Sequence, residues 1–297
     1  MILVTGATSQ LGEILVQKLS KGNEKIICFV RETSNVENLK FDNVEFVYGD
    51  YKNMESIRNS LKDVEYLVHI GGIWYEHDFL EILEKNAKFK KAVFVGSTSV
   101  FQKISSNDPH EQELVRKMRK AESEINASKL DTVIIRPTML YGRDKDKNIL
   151  ILINFMNKFH FFPIIGKGSG RKQPVYVGDV ADAIISVLFN EKIKKEEYNI
   201  PGEEPILYTD MISEIRKNLN KPVFVFHIPL SMAKLGFRVF KKIKKSTTVN
   251  EEMVNRVNTD FVFDFKKAKN DFNFKPLPFN QGIKRQIEYL RTKGKLQ

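Results

Sequence analysis

Gly6 and Gly12 bracket the stretch Thr5-Gly6-Ala7-Thr8-Ser9-Gln10-Leu11-Gly12, set between a short apolar run and residues with helical apolar spacing. A glycine turn between a strand and a helix exposes backbone N–H groups. The helix opening near Leu11 adds its own free N–H groups and the positive end of its dipole, so the chemistry offered is pyrophosphate binding. Gly6 can take the tight turn, and Gly12 lets the helix lie close to the strand. Ser9 stands where the usual spacing has a middle glycine; its Cβ restricts backbone approach, while its hydroxyl can bond a phosphate oxygen. The next apolar run, Lys25 to Val30, ends at Arg31 with Ser34 three residues on. An acid at this place accepts from a ribose 2′-OH, whereas a base accommodates a 2′-phosphate. Arg31 therefore favours NADP, and Glu32 beside it keeps NAD open. His69-Ile70-Gly71-Gly72 places two glycines at a strand end, where backbone can approach a ligand closely.

The elements that must position these residues alternate along the chain. Apolar runs at Met1–Val4, 25–30, 44–48, 64–70, 91–95 and 132–135 read as buried strands, and the intervals carry helical patterns. Asn53 is placed to cap the helix through Ile57 and Leu61, and a long polar helix is expected from Pro109 to Ser128. Strands alternating with helices imply an α/β fold: a doubly wound parallel sheet with its ligand outside the carboxyl ends of the strands. After Tyr141-Gly142 the pattern changes. The reading is a cofactor domain over 1–142, with 174–192 returning to it, and a smaller mixed α/β substrate domain mainly over 143–297. Asp179 is expected to cap the helix running to Leu188, and Gly166 to Arg171 to form a basic loop facing substrate phosphates.

Composition narrows the class. The chain has 297 residues, one cysteine and five histidines, so neither an internal disulfide nor a metal framework can be assembled. No apolar run reaches the ~20 residues of a membrane span. With no signal peptide legible and one cysteine in an apolar run, a cytoplasmic protein is expected. Residues 234–297 hold 16 Lys and Arg against 6 Asp and Glu, which is nearly all of the chain's +11 excess. That basic end lacks a nucleic-acid reading motif, and no specific nucleic acid is expected.

Several segments, in order, resemble the extended short-chain dehydrogenase/reductase family, which includes nucleotide-sugar epimerases and dehydratases. They are Thr5 to Gly12, Gly49-Asp50, His69 to Gly72, the turn after the fifth strand, Arg136-Pro137-Thr138-Met139-Leu140-Tyr141-Gly142, Val175 to Ala183, and Tyr198 to Gly202. The resemblance implies that Gly6, Thr8, Gln10, Leu11 and Gly12 hold the pyrophosphate and that Arg31 reads the ribose phosphate. It implies that Asp50 and Tyr51 flank the adenine, that Gly71 and Gly72 lie along the dinucleotide, and that Pro137 and Thr138 approach the nicotinamide end. Ser97 matches the hydroxyl of the family's Ser/Thr–Tyr–Lys set, with Thr98 as the nearest substitute, and Lys120 matches the lysine.

The sequence departs from the family at one catalytic place. Arg116 stands four residues before Lys120, where the tyrosine belongs, and no tyrosine occurs between Tyr75 and Tyr141. An arginine stays protonated and cannot exchange a proton near neutral pH; it would stabilise an oxyanion or bind a phosphate. Trp74-Tyr75-Glu76-His77 could supply a replacement acid at the cleft rim.

The resulting expectation is an NADP-linked epimerase/dehydratase- or reductase-like protein acting on a nucleotide sugar or similar anionic small molecule. The other reading is a sensor or assembly subunit that binds NADP(H) without turnover. A homodimer is left open. Residues 229–245 carry an apolar and a basic stripe at helical spacing, a pattern compatible with peripheral contact to an anionic membrane.

Overall fold

Apolar runs with no polar face belong inside a sheet covered on both sides, and the structure puts them in one, with Val44–Tyr48 at its half-exposed edge. The computed structural model describes residues 1–233 and 256–296. Strands β1 (Ile2–Thr5), β2 (Ile26–Val30), β3 (Val44–Tyr48), β4 (Tyr66–His69), β5 (Lys91–Val95) and β6 (Thr132–Pro137) lie in one parallel sheet, in the order β6-β5-β4-β1-β2-β3. A seventh strand, Glu196–Ile200, pairs with β6 and forms the edge. The sheet therefore extends past residue 192, where the sequence reading ended the return to the cofactor domain.

Helices cover both faces. One face packs α1 (Gln10–Leu19) and, from later in the chain, Val177–Leu188 over Val4, Val68 and Ile135. Cys28, in β2, is fully buried in this layer, and burial pushes its thiol up to about 12. The other face packs α2 (Met54–Ser60), α3 (Glu76–Leu83), the single turn α4 (Ser99–Gln102) and α5 (Pro109–Ala127) over Leu3, Leu67 and Phe94. Asn53 caps α2 as expected, its side chain accepting from Glu55 and Ser56 N–H.

The remaining chain builds a separate core. Helix α6 (Ile149–Phe159), the helix Tyr208–Leu219 and the helix Phe279–Thr292 enclose Ile153, Met156, Ile212 and Ile287. Against them lies a parallel two-stranded ribbon, Phe161–Ile165 beside Phe224–Ile228. Asp179 is not the cap expected of it. The helix begins at Val177, and the Asp179 carboxylate in its first turn accepts from Leu277 N–H at 2.7 Å.

Candidate cofactor and active site

The order of strands reverses at β1, which has β2 on one side and β4 on the other. In open α/β sheets the crevice at such a switch point receives the ligand. Here its walls are the Gly6 turn after β1 and the Gly71-Gly72 turn after β4.

The first wall is a cradle that side chains would fill. Gly6 has φ +66°, and a Cβ on it would lie 2.9 Å from Gly71 N. A Cβ on Gly12 would lie 2.4 Å from Gly6 O, so α1 rests directly on the turn. Ser9 caps α1, its Oγ accepting from Gly12 N at 3.1 Å. Because that bond uses Oγ as acceptor, the hydroxyl proton stays available to a phosphate oxygen. Helix α1 starts at Gln10, so the N–H groups of Gln10 and Leu11 have no partner within it. Gln10 Oε1 is buried without a hydrogen-bond partner. These features fit a bound dinucleotide pyrophosphate.

One residue of this wall was missed in the sequence. Lys145 Nζ donates to Thr8 O at 2.8 Å and pairs with Glu13 at 2.7 Å. It comes from the charged loop after Gly142, and only its charge could have marked it.

The second wall is held by His69. Its Nε2 lies 3.0 Å from Gly72 O, and its Nδ1 lies 2.8 Å from Thr5 Oγ1. A carbonyl can only accept, so Nε2 carries the proton and Nδ1 accepts from the threonine hydroxyl. Burial, opposed by the Gly72 bond, brings the imidazole pKa down to about 4. His69 is thus a neutral brace between β1 and the Gly71-Gly72 turn. Tyr51 completes this side. Its Oη stands 2.6 Å from where a Cβ on Gly71 would sit, and its ring stacks on Tyr75 at 4.7 Å. Burial raises the Tyr51 phenol, while Thr5, Arg31 and Gly6 beside it oppose the shift.

The adenosine end is open. Arg31 is exposed, its backbone N–H donates to Ser34 Oγ at 3.2 Å, and its guanidinium makes no ion pair among the described residues. Asp50 is also exposed, its carboxylate accepting from Lys52 N–H at 2.9 Å.

At the carboxyl ends of β5 and β6 the expected catalytic residues separate into two groups. Ser97 is half-buried, with its Oγ 3.0 Å from Ser99 Oγ and accepting from Ser99 N. Thr98 is buried and its hydroxyl donates to Pro137 O at 3.4 Å, so it ties β5 to β6. Thr138 donates to Gln173 O, and Gln173 in turn bonds Gly202 and Phe263. Lys120 and Arg116 lie on the outer side of α5. The Arg116 guanidinium makes two 2.7 Å bonds to Glu113 and is two-thirds exposed. Lys120 Nζ is 3.5 Å from Glu124. No hydrogen bond or ion pair among the described residues joins either of them to Ser97 or Thr98.

Glu76 gathers a different set of groups. It opens α3 just after the turn Ile73–Tyr75, is 4 % exposed, and its Oε2 has no hydrogen-bond partner. Burial above all, with the Glu124 carboxylate adding to it, lifts its carboxyl to about 7. Glu124 also takes His77 Nδ1 at 3.3 Å and Lys120 at 3.5 Å. Ile73, at the start of the same turn, lies 3.5 Å from where a Cβ on Gly96 would sit, so the group adjoins the Ser97 turn. A carboxyl poised near pH 7 can both give and take a proton.

The basic loop does not present all its charge. Arg171 is paired with Asp260 at 2.7 Å, and Lys172 is buried, donating to Arg256 O and Thr259 O.

The comparisons with known proteins agree with this geometry. A family model described as NAD(P)H-binding matches residues 6–191. The chain is 26% identical over 231 residues to the N-acetyl-alpha-D-glucosaminyl-diphospho-ditrans,octacis-undecaprenol 4-epimerase of Escherichia coli O157:H7, covering 71% of this chain and 68% of the relative. It is 26% identical over 284 residues to NADH dehydrogenase [ubiquinone] 1 alpha subcomplex subunit 9 of Arabidopsis thaliana, covering 86% and 69%. The crystal structure of UDP-glucose 4-epimerase with UDP-glucose from Thermotoga maritima superposes with a TM-score of 0.77 at 19% identity, over 98% of this chain and 99% of that one. The glycine cradle thus lies within a family match that runs through both walls of the crevice and on through the helix Val177–Leu188: the chain belongs to the family of NAD(P)H-binding proteins.

Proposed function

We propose that this protein is an NADP-linked enzyme of the epimerase/dehydratase kind, acting on a nucleotide sugar or a similar anionic small molecule. The observation that carries the reading is the buried carboxyl of Glu76, pushed toward neutrality by burial and the Glu124 carboxylate, at the start of the helix that follows the Gly71-Gly72 turn. A binding protein has no need of a proton-exchanging group there, whereas carbinol chemistry does. The relatives supply the substrate class: one acts, by its name, on a sugar linked through a diphosphate to a polyprenol, and one structure holds UDP-glucose.

Gly6, Thr8, Ser9, Gln10, Leu11 and Gly12 would hold the pyrophosphate, with Arg31 and Ser34 at the ribose phosphate. Asp50 and Tyr51 would flank the adenine, Gly71 and Gly72 line the path, and Pro137 and Thr138 meet the nicotinamide end. When bound, the nicotinamide supplies reversible hydride transfer. In this reading Ser97 orients the substrate hydroxyl, and Glu76 exchanges its proton with Glu124 and Lys120 as relay. Arg116 and Lys120, paired with Glu113 and Glu124 on the outer side of α5, would have to leave those partners to add positive charge for an anionic substrate.

The reading of a non-catalytic NADP(H)-binding subunit is favoured by two observations: arginine replaces the tyrosine, and one relative is by name a subunit of a larger assembly. The domain division at 142, peripheral membrane contact through 229–245 and a homodimer belong to the proposal as well; residues 234–245 lie outside the described residues. Two measurements test the reading: mass spectrometry of ligands retained through gentle purification, and turnover on a panel of nucleotide sugars with NADP(H) supplied. Conversion of any panel member that is lost in Glu76→Gln supports the enzyme. Tight NADP(H) binding with no conversion across the panel gives the protein to the non-catalytic reading.

A further inference from the structure

The ribbon Phe161–Ile165 and Phe224–Ile228 turns one face into the molecule; on the other, among the described residues, Phe161 and Phe224 are exposed and Pro163, Ile165, Phe226 and Ile228 half-buried. Phe162 and Ile164 point inward to the core shared with α6. Directly paired residues of parallel strands share a face, so the register Phe224↔Phe161, Phe226↔Pro163 and Ile228↔Ile165 makes the outward face apolar at all six positions. Phe224 is 70% exposed and Phe161 39%. The face continues onto the end of α6, where Phe159, 47% exposed, lies 6.1 Å from the Phe161 ring. A contiguous exposed apolar patch of this kind marks an interaction surface.

The described chain that builds the ribbon is rich in cations: the sequence has no Asp or Glu from 147 to 178, nor from 215 to 233. Lys158 Nζ sits 5.3 Å over the Phe159 ring, and Lys221 stands just before the second strand, while Lys217 is paired with Glu214 at 2.6 Å. Aromatic and aliphatic side chains beside Lys158 and Lys221, unpaired among the described residues, match an anionic bilayer: rings enter the headgroup boundary while ammonium groups stay with the lipid phosphates. Pro163, Ile165 and Ile228 have no aromatic face to stack on a base, which disfavours single-stranded nucleic acid as the occupant. Among the described residues no helix is long and apolar enough to cross a membrane, so the contact is peripheral.

We infer that the outward face of this ribbon, with the end of α6, docks the protein on an anionic lipid surface. The contact is independent of turnover and of the cofactor crevice, and uses described residues only.

Co-sedimentation of the full chain with vesicles tests it, using phosphatidylcholine alone and equal parts phosphatidylcholine and phosphatidylglycerol. The protein is expected to pellet with the anionic vesicles at low salt, to be released as salt rises, and to stay in the supernatant with phosphatidylcholine alone. Phe161→Ser with Phe224→Ser should cut anionic-vesicle binding at least ~10-fold while leaving NADP(H) affinity unchanged, which shows the fold is kept. Lys158→Glu with Lys221→Glu, which spares the aromatic face, should weaken it as well. Wild type remaining in the supernatant with anionic vesicles overturns the proposal, as does binding that survives both double variants. A wild-type dimer that the phenylalanine variant converts to monomer gives the face to a second copy. Displacement from vesicles by an oligonucleotide bound through the same phenylalanines gives it to nucleic acid. Either outcome overturns the lipid assignment.

Discussion

Thr5 and His69 are register partners at the carboxyl ends of β1 and β4, and the threonine hydroxyl donates to the imidazole across the switch point at 2.8 Å. The histidine folds as the neutral tautomer with Nε2–H on Gly72 O, so the crevice is braced by a group that must give up the bond it accepts from Thr5 to become charged.

That brace makes stability fall in acid. The folded pKa of His69 is about 4 against 6.5 for a free imidazole. The unfolded chain therefore binds the extra proton between those values, and stability drops as pH falls from 6.5 to 4, by up to ~3 kcal/mol. His69→Gln should be destabilised at pH 7.5 by ~1–3 kcal/mol through lost hydrogen bonds. Its melting temperature should then fall less than that of wild type between pH 6.5 and 4. Parallel melting curves against pH for the two proteins would contradict this.

Glu76 works in the opposite direction. Its folded pKa of about 7 exceeds the usual 4.5, so its contribution is present in acid and is lost as pH rises through 7. Glu76→Gln should raise the melting temperature at pH 8, recovering up to ~3 kcal/mol, and change it little at pH 5. In the enzyme reading the same change lowers turnover ~10²- to 10⁴-fold. Thermal scans at the two pH values separate the structural effect from the chemical one.

Arg31 should set cofactor preference. A charged hydrogen bond to a 2′-phosphate is worth ~1.5–3 kcal/mol, or roughly ten- to a hundred-fold in affinity. Calorimetric titration should show NADP(H) tighter than NAD(H), and Arg31→Ala should close the gap while leaving NAD(H) nearly unchanged. Equal affinities in wild type would refute it.

The missing tyrosine can be put back. Arg116→Tyr restores the family's spacing to Lys120 and should raise residual oxidoreductase turnover by ~10-fold or more. It should also weaken an anionic ligand that leans on the guanidinium. A brisk wild-type rate that falls in Arg116→Tyr would leave Glu76, Tyr75 and His77 as the groups to examine.

What could be read in the sequence follows the range of the interactions. The Gly6 to Gly12 turn and the Asn53 cap depend on a few neighbouring residues, and their chemistry is visible without a fold. The parallel sheet was legible because its strands are apolar over most of their length, with polar residues such as Thr5, His69, Lys91, Thr132 and Arg136 mostly at their ends. Glu76 was not singled out, because the short turn Ile73–Tyr75 decides which of four consecutive residues goes inward, and no periodicity records that. Lys145 reaches Thr8 from far along the chain. The ribbon was hidden for a related reason: Phe-Phe-Pro-Ile-Ile reads as a uniformly apolar run until its register with Phe224–Ile228 divides it into two faces.

Cys28, sealed within β2 and held as the thiol, has a practical consequence. A thiol reagent can reach the chain's single cysteine only after the sheet has come apart. The rate at which such a reagent labels the native protein therefore times the global opening of the cofactor domain, and the slowing of that labelling by added NADP(H) measures how strongly the cofactor holds the domain closed.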